Sequence, residues 1–148
     1  MNVMQTSSHK DTILVVDDDP DWRAFVTEAL ASIYTVVSAS TGRDGVWNAK
    51  RSRPAAIVLD VLMAGTDDGF TILAELRGNE TTRYIPVVMF SNVNAVTRLS
   101  FDAASIKTQL GTSPDAFLEK PANAETILRT VNEVIAQQRY ETQSDNGR

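Results

Sequence analysis

Five short apolar runs punctuate this chain, and between them apolar residues recur at helical spacing. Ile13-Leu14-Val15-Val16, Ala55-Ala56-Ile57-Val58-Leu59 and Pro86-Val87-Val88-Met89-Phe90 are continuous rather than alternating. That pattern predicts strands covered on both faces. Tyr34 to Ala39 and Ala116-Phe117-Leu118 are two further strand-like runs. Trp22, Phe25, Val26, Ala29, Leu30 and Ile33 follow a three-four spacing that predicts a helix with one apolar face. Val46 and Ala49 mark a second, short helix, and Phe70, Leu73 and Leu76 a third. Val96, Leu99, Ala103, Ile106 and Leu110 predict a fourth; Ile127, Leu128, Val131, Val134 and Ile135 predict the last.

The residues between these runs supply the starts and stops. Pro20 suits the first turn of a helix and makes Asp19 its N-cap. Ser40-Thr41 and Asn123 are cap candidates for the second and last helices, and Asp67 and Asp68 form the turn and cap of the third. Pro54, Gly78, and Gly111 with Pro114 act as stops. Strand and helix alternate five times, which implies an α/β fold with a parallel sheet and helices on both faces. The expected organisation is a polar tail over 1–11, one domain over 12–138, and a polar tail over 139–148.

Composition removes whole classes of function. At 148 residues and 43% apolar, the chain can build one well-cored domain. It has no cysteine, and its one histidine, His9, lies in the N-terminal tail. Thiolate catalysis, cysteine-ligated zinc and a histidine base therefore drop out. A net charge of −5 without a basic stripe gives no reason to expect direct nucleic-acid binding. No run approaches a membrane span and the N-terminus lacks a secretory apolar core, so a cytoplasmic protein away from the membrane is expected. Its chemistry must come from Asp, Glu, Lys, Ser and Thr.

Four strand ends carry such groups: Asp17-Asp18 on the first, Asp60 on the third, Ser91 on the fourth and Lys120 after the fifth. Right-handed crossovers bring all strand ends of a parallel sheet to one edge, where ligands collect. Adjacent first and third strands bring three carboxylates together. Two such charges about 5 Å apart at an effective dielectric near 20 repel by roughly 3 kcal/mol. A hard divalent cation, magnesium, resolves that repulsion through oxygen ligands. Lys120 and the Ser91 hydroxyl add the charge and donor that a phosphoryl group needs. The chemistry suggested is carboxylate attack on phosphorus to give an aspartyl phosphate.

The motifs ILVVDDDP, IVLD followed by M-x-G and DG, VVMFSN and FLEKP stand in one order over residues 12–138. In them the chain resembles a response-regulator receiver domain of two-component signalling, similar to single-domain chemotaxis-type regulators. The resemblance implies a flavodoxin-like (βα)5 doubly wound parallel sheet of strand order 2-1-3-4-5. It implies Asp60 as phosphoacceptor, and Asp18, Asp17, Asp60 and the Leu62 backbone carbonyl as magnesium ligands. Ser91 is implied as the switch hydroxyl, Phe117 as the aromatic that follows it, Lys120 as the site lysine, and Lys120-Pro121 as a cis peptide. Implied partners are a sensor histidine kinase or histidine phosphotransfer protein as donor and a downstream protein target. Output would use the face of the fourth helix, fifth strand and fifth helix, which could also form a homodimer.

The chain departs from the family pattern in places. Ala64 follows Met63 where the family has proline, Asp68-Gly69 falls one residue late, and the interval from Ser91 to Lys120 is longer. Apolar Leu62 and Val93 stand where the family controls water access, which implies slow autodephosphorylation. Two other readings remain: a phosphorylation-independent receiver-like scaffold, and a haloacid-dehalogenase-like phosphatase suggested by Asp17-Asp18-Asp19. Asp21 stands where the phosphatase pattern has Thr or Val, and Asp67-Asp68 precede Ser91 rather than following the lysine. Both features count against the phosphatase. Trp22 and Trp47 are read as packing.

Overall fold

The computed structural model describes residues 10–63, 68–92 and 113–146. The expected helix through Val96 to Leu110, together with Val93, Ala64 and Asp67, lies outside the described residues.

The five apolar runs form five parallel strands: β1 (Thr12–Val16), β2 (Thr35–Ala39), β3 (Ala56–Asp60), β4 (Val87–Asn92) and β5 (Ala116–Lys120). Their order across the sheet is β2-β1-β3-β4-β5, as expected. Every residue of β3 is buried, whereas the edge strands β2 and β5 are only partly so. The continuous apolar runs thus mark the strands flanked on both sides.

Helix α1 (Pro20–Leu30) begins at Asp19, whose side chain accepts from the Asp21 amide. α2 (Gly42–Ser52) begins at Thr41, which accepts from the Asp44 amide, and ends at Arg53 in a left-handed conformation before Pro54. α3 (Gly69–Arg77) begins at Asp68, which accepts from the Thr71 amide. The C-terminal helix (Ala124–Asn146) is capped by Asn123, which accepts from the Thr126 amide at 2.8 Å. Each cap satisfies an amide that the first turn leaves without an intrahelical partner.

The sheet separates two cores. One joins Leu14, Val16, Leu59 and Met89 to Val46 of α2 and to Ile72, Leu73 and Leu76 of α3. The other joins Ile13, Val15, Val58 and Phe90 to Val26 and Leu30 of α1 and to Ile127, Val131 and Ile135 of the C-terminal helix. This is the doubly wound arrangement the pattern implies.

Three expectations need correction. In α1 only Val26 and Leu30 are buried; Phe25 is exposed at the margin of that face, and Ile33 lies beyond the helix, which ends at Leu30, in the turn before β2 and is exposed there. Trp47 is 57% exposed and carries Arg51 over its ring rather than packing in a core. The last helix continues through Asn146 instead of giving way to a tail after 138. Its polar turns are held by Gln137 donating to Glu141, Gln138 donating to Thr142, and an ion pair from Arg139 to Asp11. Such i,i+4 pairs sustain a solvated helix that has no apolar face to reveal it. No helix among the described residues is long and apolar enough to cross a membrane.

Candidate functional site

The carboxyl-end edge of the sheet gathers the acidic residues. Asp17 follows β1, with its amide donating to the Ala39 carbonyl of β2 at 3.1 Å. Asp60 is the last residue of β3, opposite Phe90 of β4. Both side chains are buried, while Asp18 is exposed. Asp17, Asp18 and Asp60 each offer a carboxylate oxygen, and these atoms all lie within 4.8 Å of one another. That oxygen-only donor set fits a hard cation such as magnesium.

Lys120, the last residue of β5, reaches across this edge. Its ammonium donates to Asp17 Oδ2 at 2.7 Å and stands 3.3 Å from Asp60 Oδ1. The other Asp17 oxygen accepts from the Asp19 amide at 2.9 Å. Arg23 Nη1 donates to the Asp17 carbonyl at 2.8 Å, fixing the backbone behind it. One ammonium does not neutralise three carboxylates. Burial, reinforced by Asp17 and then Asp18, pushes the Asp60 carboxyl from its ordinary 3.8 up to about 7, although Lys120 pulls it down.

Ser91 follows Phe90 on β4 and is buried, and its hydroxyl has no hydrogen-bond partner among the described residues. A buried hydroxyl without a partner is costly. Phe117 sits opposite Met89 and packs, partly buried, against the core beneath α2 and α3. Side chains paired across parallel strands share a sheet face, so Phe117 and Ser91 lie on the same face. The Lys120-Pro121 peptide is cis, as the resemblance implies. Leu62 is 45% exposed two residues beyond Asp60.

Sequence reasoning missed two contributors. A Cβ on Gly69 would fall 2.2 Å from the Asp60 backbone oxygen and 2.8 Å from Val61 Cα, so only glycine lets α3 start against the end of β3. Trp22 lies with its ring beneath Lys120, the Nζ being 5.2 Å from the ring centroid. The Asp68-Gly69 pair at a helix start was a legible signal for the first. Nothing along the chain signals the second.

Comparison with known proteins agrees with this geometry. The family model described as the response regulator receiver domain matches residues 13–132. The chain is 32% identical over 125 residues to protein PilH of Pseudomonas aeruginosa, covering 84% of this chain and 97% of PilH. It is 41% identical over 80 residues to response regulator PleD of Caulobacter vibrioides, covering 53% of this chain but 17% of PleD. Among solved structures, chemotaxis response regulator CheY4 of Vibrio cholerae superposes with a TM-score of 0.71 at 26% identity, over 85% of this chain and 99% of CheY4. NtrX from Brucella abortus, at 22% identity, shares the fold with a TM-score of 0.79 over 95% of this chain and 30% of its own. The strand order, the motifs at the strand ends and the extent of these matches converge: the chain belongs to the response regulator receiver domain family.

Proposed function

We propose that this domain accepts a phosphoryl group on Asp60 from a phosphohistidine protein, a sensor histidine kinase or histidine phosphotransfer protein. The observation that carries the proposal is the Lys120 ammonium spanning Asp17 and Asp60 beside a third carboxylate. An Asp60 carboxylate oxygen bonds to phosphorus as the bond from phosphorus to the donor imidazole nitrogen breaks. The electron pair leaves with that nitrogen. Lys120 and the Ser91 hydroxyl would donate to the phosphoryl oxygens, and the unpartnered state of that hydroxyl among the described residues supports this role. Asp17, already engaged at both oxygens, is poorly placed to be the nucleophile itself.

Asp17, Asp18, Asp60 and the Leu62 carbonyl would hold magnesium. When bound, the cation supplies charge neutralisation to the carboxylates and the transferring oxygens. Asp60 must be ionised to react, and a cation among the three acids favours that form. Apolar Leu62 at the mouth supports slow loss of the phosphoryl group to water. The added charge at Asp60 biases a rearrangement that Ser91 and Phe117 transmit to the output face for a downstream protein.

Incubation with acetyl phosphate and magnesium followed by intact-mass measurement tests the proposal. A gain of one phosphoryl group in the wild type and none in Asp60→Asn is expected. Equal gain in both proteins moves the acceptor elsewhere, and no gain in either leaves a scaffold. Turnover of generic phosphate esters that depends on Asp17 would replace the proposal with a phosphatase.

A further inference from the structure

We infer that Trp22 is a positioning residue for the phosphotransfer proposed above: its indole face holds the Lys120 ammonium over the gap between Asp17 and Asp60. The inference deepens that reading and rests on it. Lysine is a compact charge on a flexible four-carbon stem, and attraction to two carboxylates does not by itself fix where it sits. Here the ammonium is confined from two directions, by carboxylates at 2.7 and 3.3 Å and by the Trp22 ring at 5.2 Å. A cation over an aromatic face is attracted by the ring's negative quadrupole, most strongly for tryptophan and most of all where water is displaced.

The ring is itself braced. Phe90 meets it edge-on at 5.3 Å between centroids and 70° between planes, and Phe25 lies at 5.3 Å on a 34° tilt. Phe90 is the residue paired with Asp60 across β3 and β4. The strand pair that presents the acceptor therefore also supports the ring that places the lysine.

The indole nitrogen supplies the independent argument. Trp22 Nε1 is buried and has no hydrogen-bond partner among the described residues. An unsatisfied buried N–H is unfavourable. A leucine could fill this edge of the α1 core without incurring that cost. What the indole adds over an aliphatic chain is the π face, and Lys120 is the cation found over it.

The test uses the full chain as wild type, Trp22→Leu and Trp22→Phe. Two readouts are taken: the rate of phosphoryl gain from acetyl phosphate with magnesium, and the proton shift of the Lys120 ε-methylene by NMR. Leucine should slow the gain about fivefold, while phenylalanine should stay within about twofold of wild type. The ε-methylene should be ring-shifted upfield in wild type, partly so with phenylalanine, and not at all with leucine. A leucine variant as fast as wild type, or a phenylalanine variant as slow as leucine, overturns the inference, because packing alone then accounts for Trp22. A wild type that gains no phosphoryl group sinks the phosphotransfer reading. The wild-type shift then decides the placement by itself, and an unshifted methylene refutes it. The same shift and the phenylalanine variant settle the matter if the leucine variant fails to fold.

Discussion

The two edges of the sheet handle charge in opposite ways, the amino-end pair being partly exposed and the carboxyl-end acids Asp17 and Asp60 buried. At the amino-end edge, Arg77 at the close of α3 donates to the Ile85 carbonyl at 2.8 Å and to Asp115 Oδ2 at 2.7 Å, with longer bonds to the Arg83 and Ser113 carbonyls. Asp115 in turn accepts from the Val87 amide at 2.8 Å, so one pair ties α3 to the starts of β4 and β5. The guanidinium fork meets several acceptors at once. At the carboxyl-end edge, among the described residues, one ammonium serves two buried carboxylates, with a third nearby and the Ser91 hydroxyl without a partner. Among the described residues, the amino-end charges pair one to one, whereas at the carboxyl end two buried carboxylates share one ammonium.

Four measurements sharpen or break this contrast, beginning with the largest expected effect. The folded Asp60 carboxyl holds its proton up to about pH 7, whereas an unfolded aspartate releases it near the ordinary 3.8. Between those values the folded state binds more protons, so without a divalent cation its stability falls as pH rises. Relative to Asp60→Asn, the wild type should lose on the order of 4 kcal/mol between pH 4 and pH 8, read by urea titration at each pH. Parallel stability profiles for the two proteins would show that neither burial nor the neighbouring carboxylates raise the Asp60 carboxyl in the folded protein.

At the opposite edge, Arg77→Ala should cost about 3 kcal/mol at every pH in that range, because it strands partly buried acceptors. Asp115→Ala should cost about 2 kcal/mol by removing the partner of both Arg77 and the Val87 amide. A loss below about 0.5 kcal/mol for either variant would mean that water replaces the clamp. The Arg43–Glu75 pair between α2 and α3 is exposed and belongs to neither edge. Arg43→Ala should change stability by about 0.5 kcal/mol or less, and a loss comparable to that of Arg77→Ala would dissolve the distinction between clamp and surface pair.

How far the sequence could be read follows the same division. The inner strands β1, β3 and β4 were legible because burial on both faces leaves unbroken apolar runs. Their ends place Asp17, Asp60 and Ser91 on one edge without knowledge of any side-chain contact. Lys120 followed from the short run before it. Features made by contacts far apart in the chain were not legible: Trp22 against Lys120, and Arg77 against Asp115. Phe25 and Ile33 fitted the spacing of an apolar face, yet spacing shows neither where the neighbouring elements stop covering the helix nor that it stops at Leu30. The last turns of the C-terminal helix, polar throughout but for Tyr140, have the composition of a tail because their support is polar.

Gly69 leaves no room for a side chain between the beginning of α3 and the backbone of β3. A single methyl group at that position would have to part the helix from the strand, carrying the start of α3 away from Asp60.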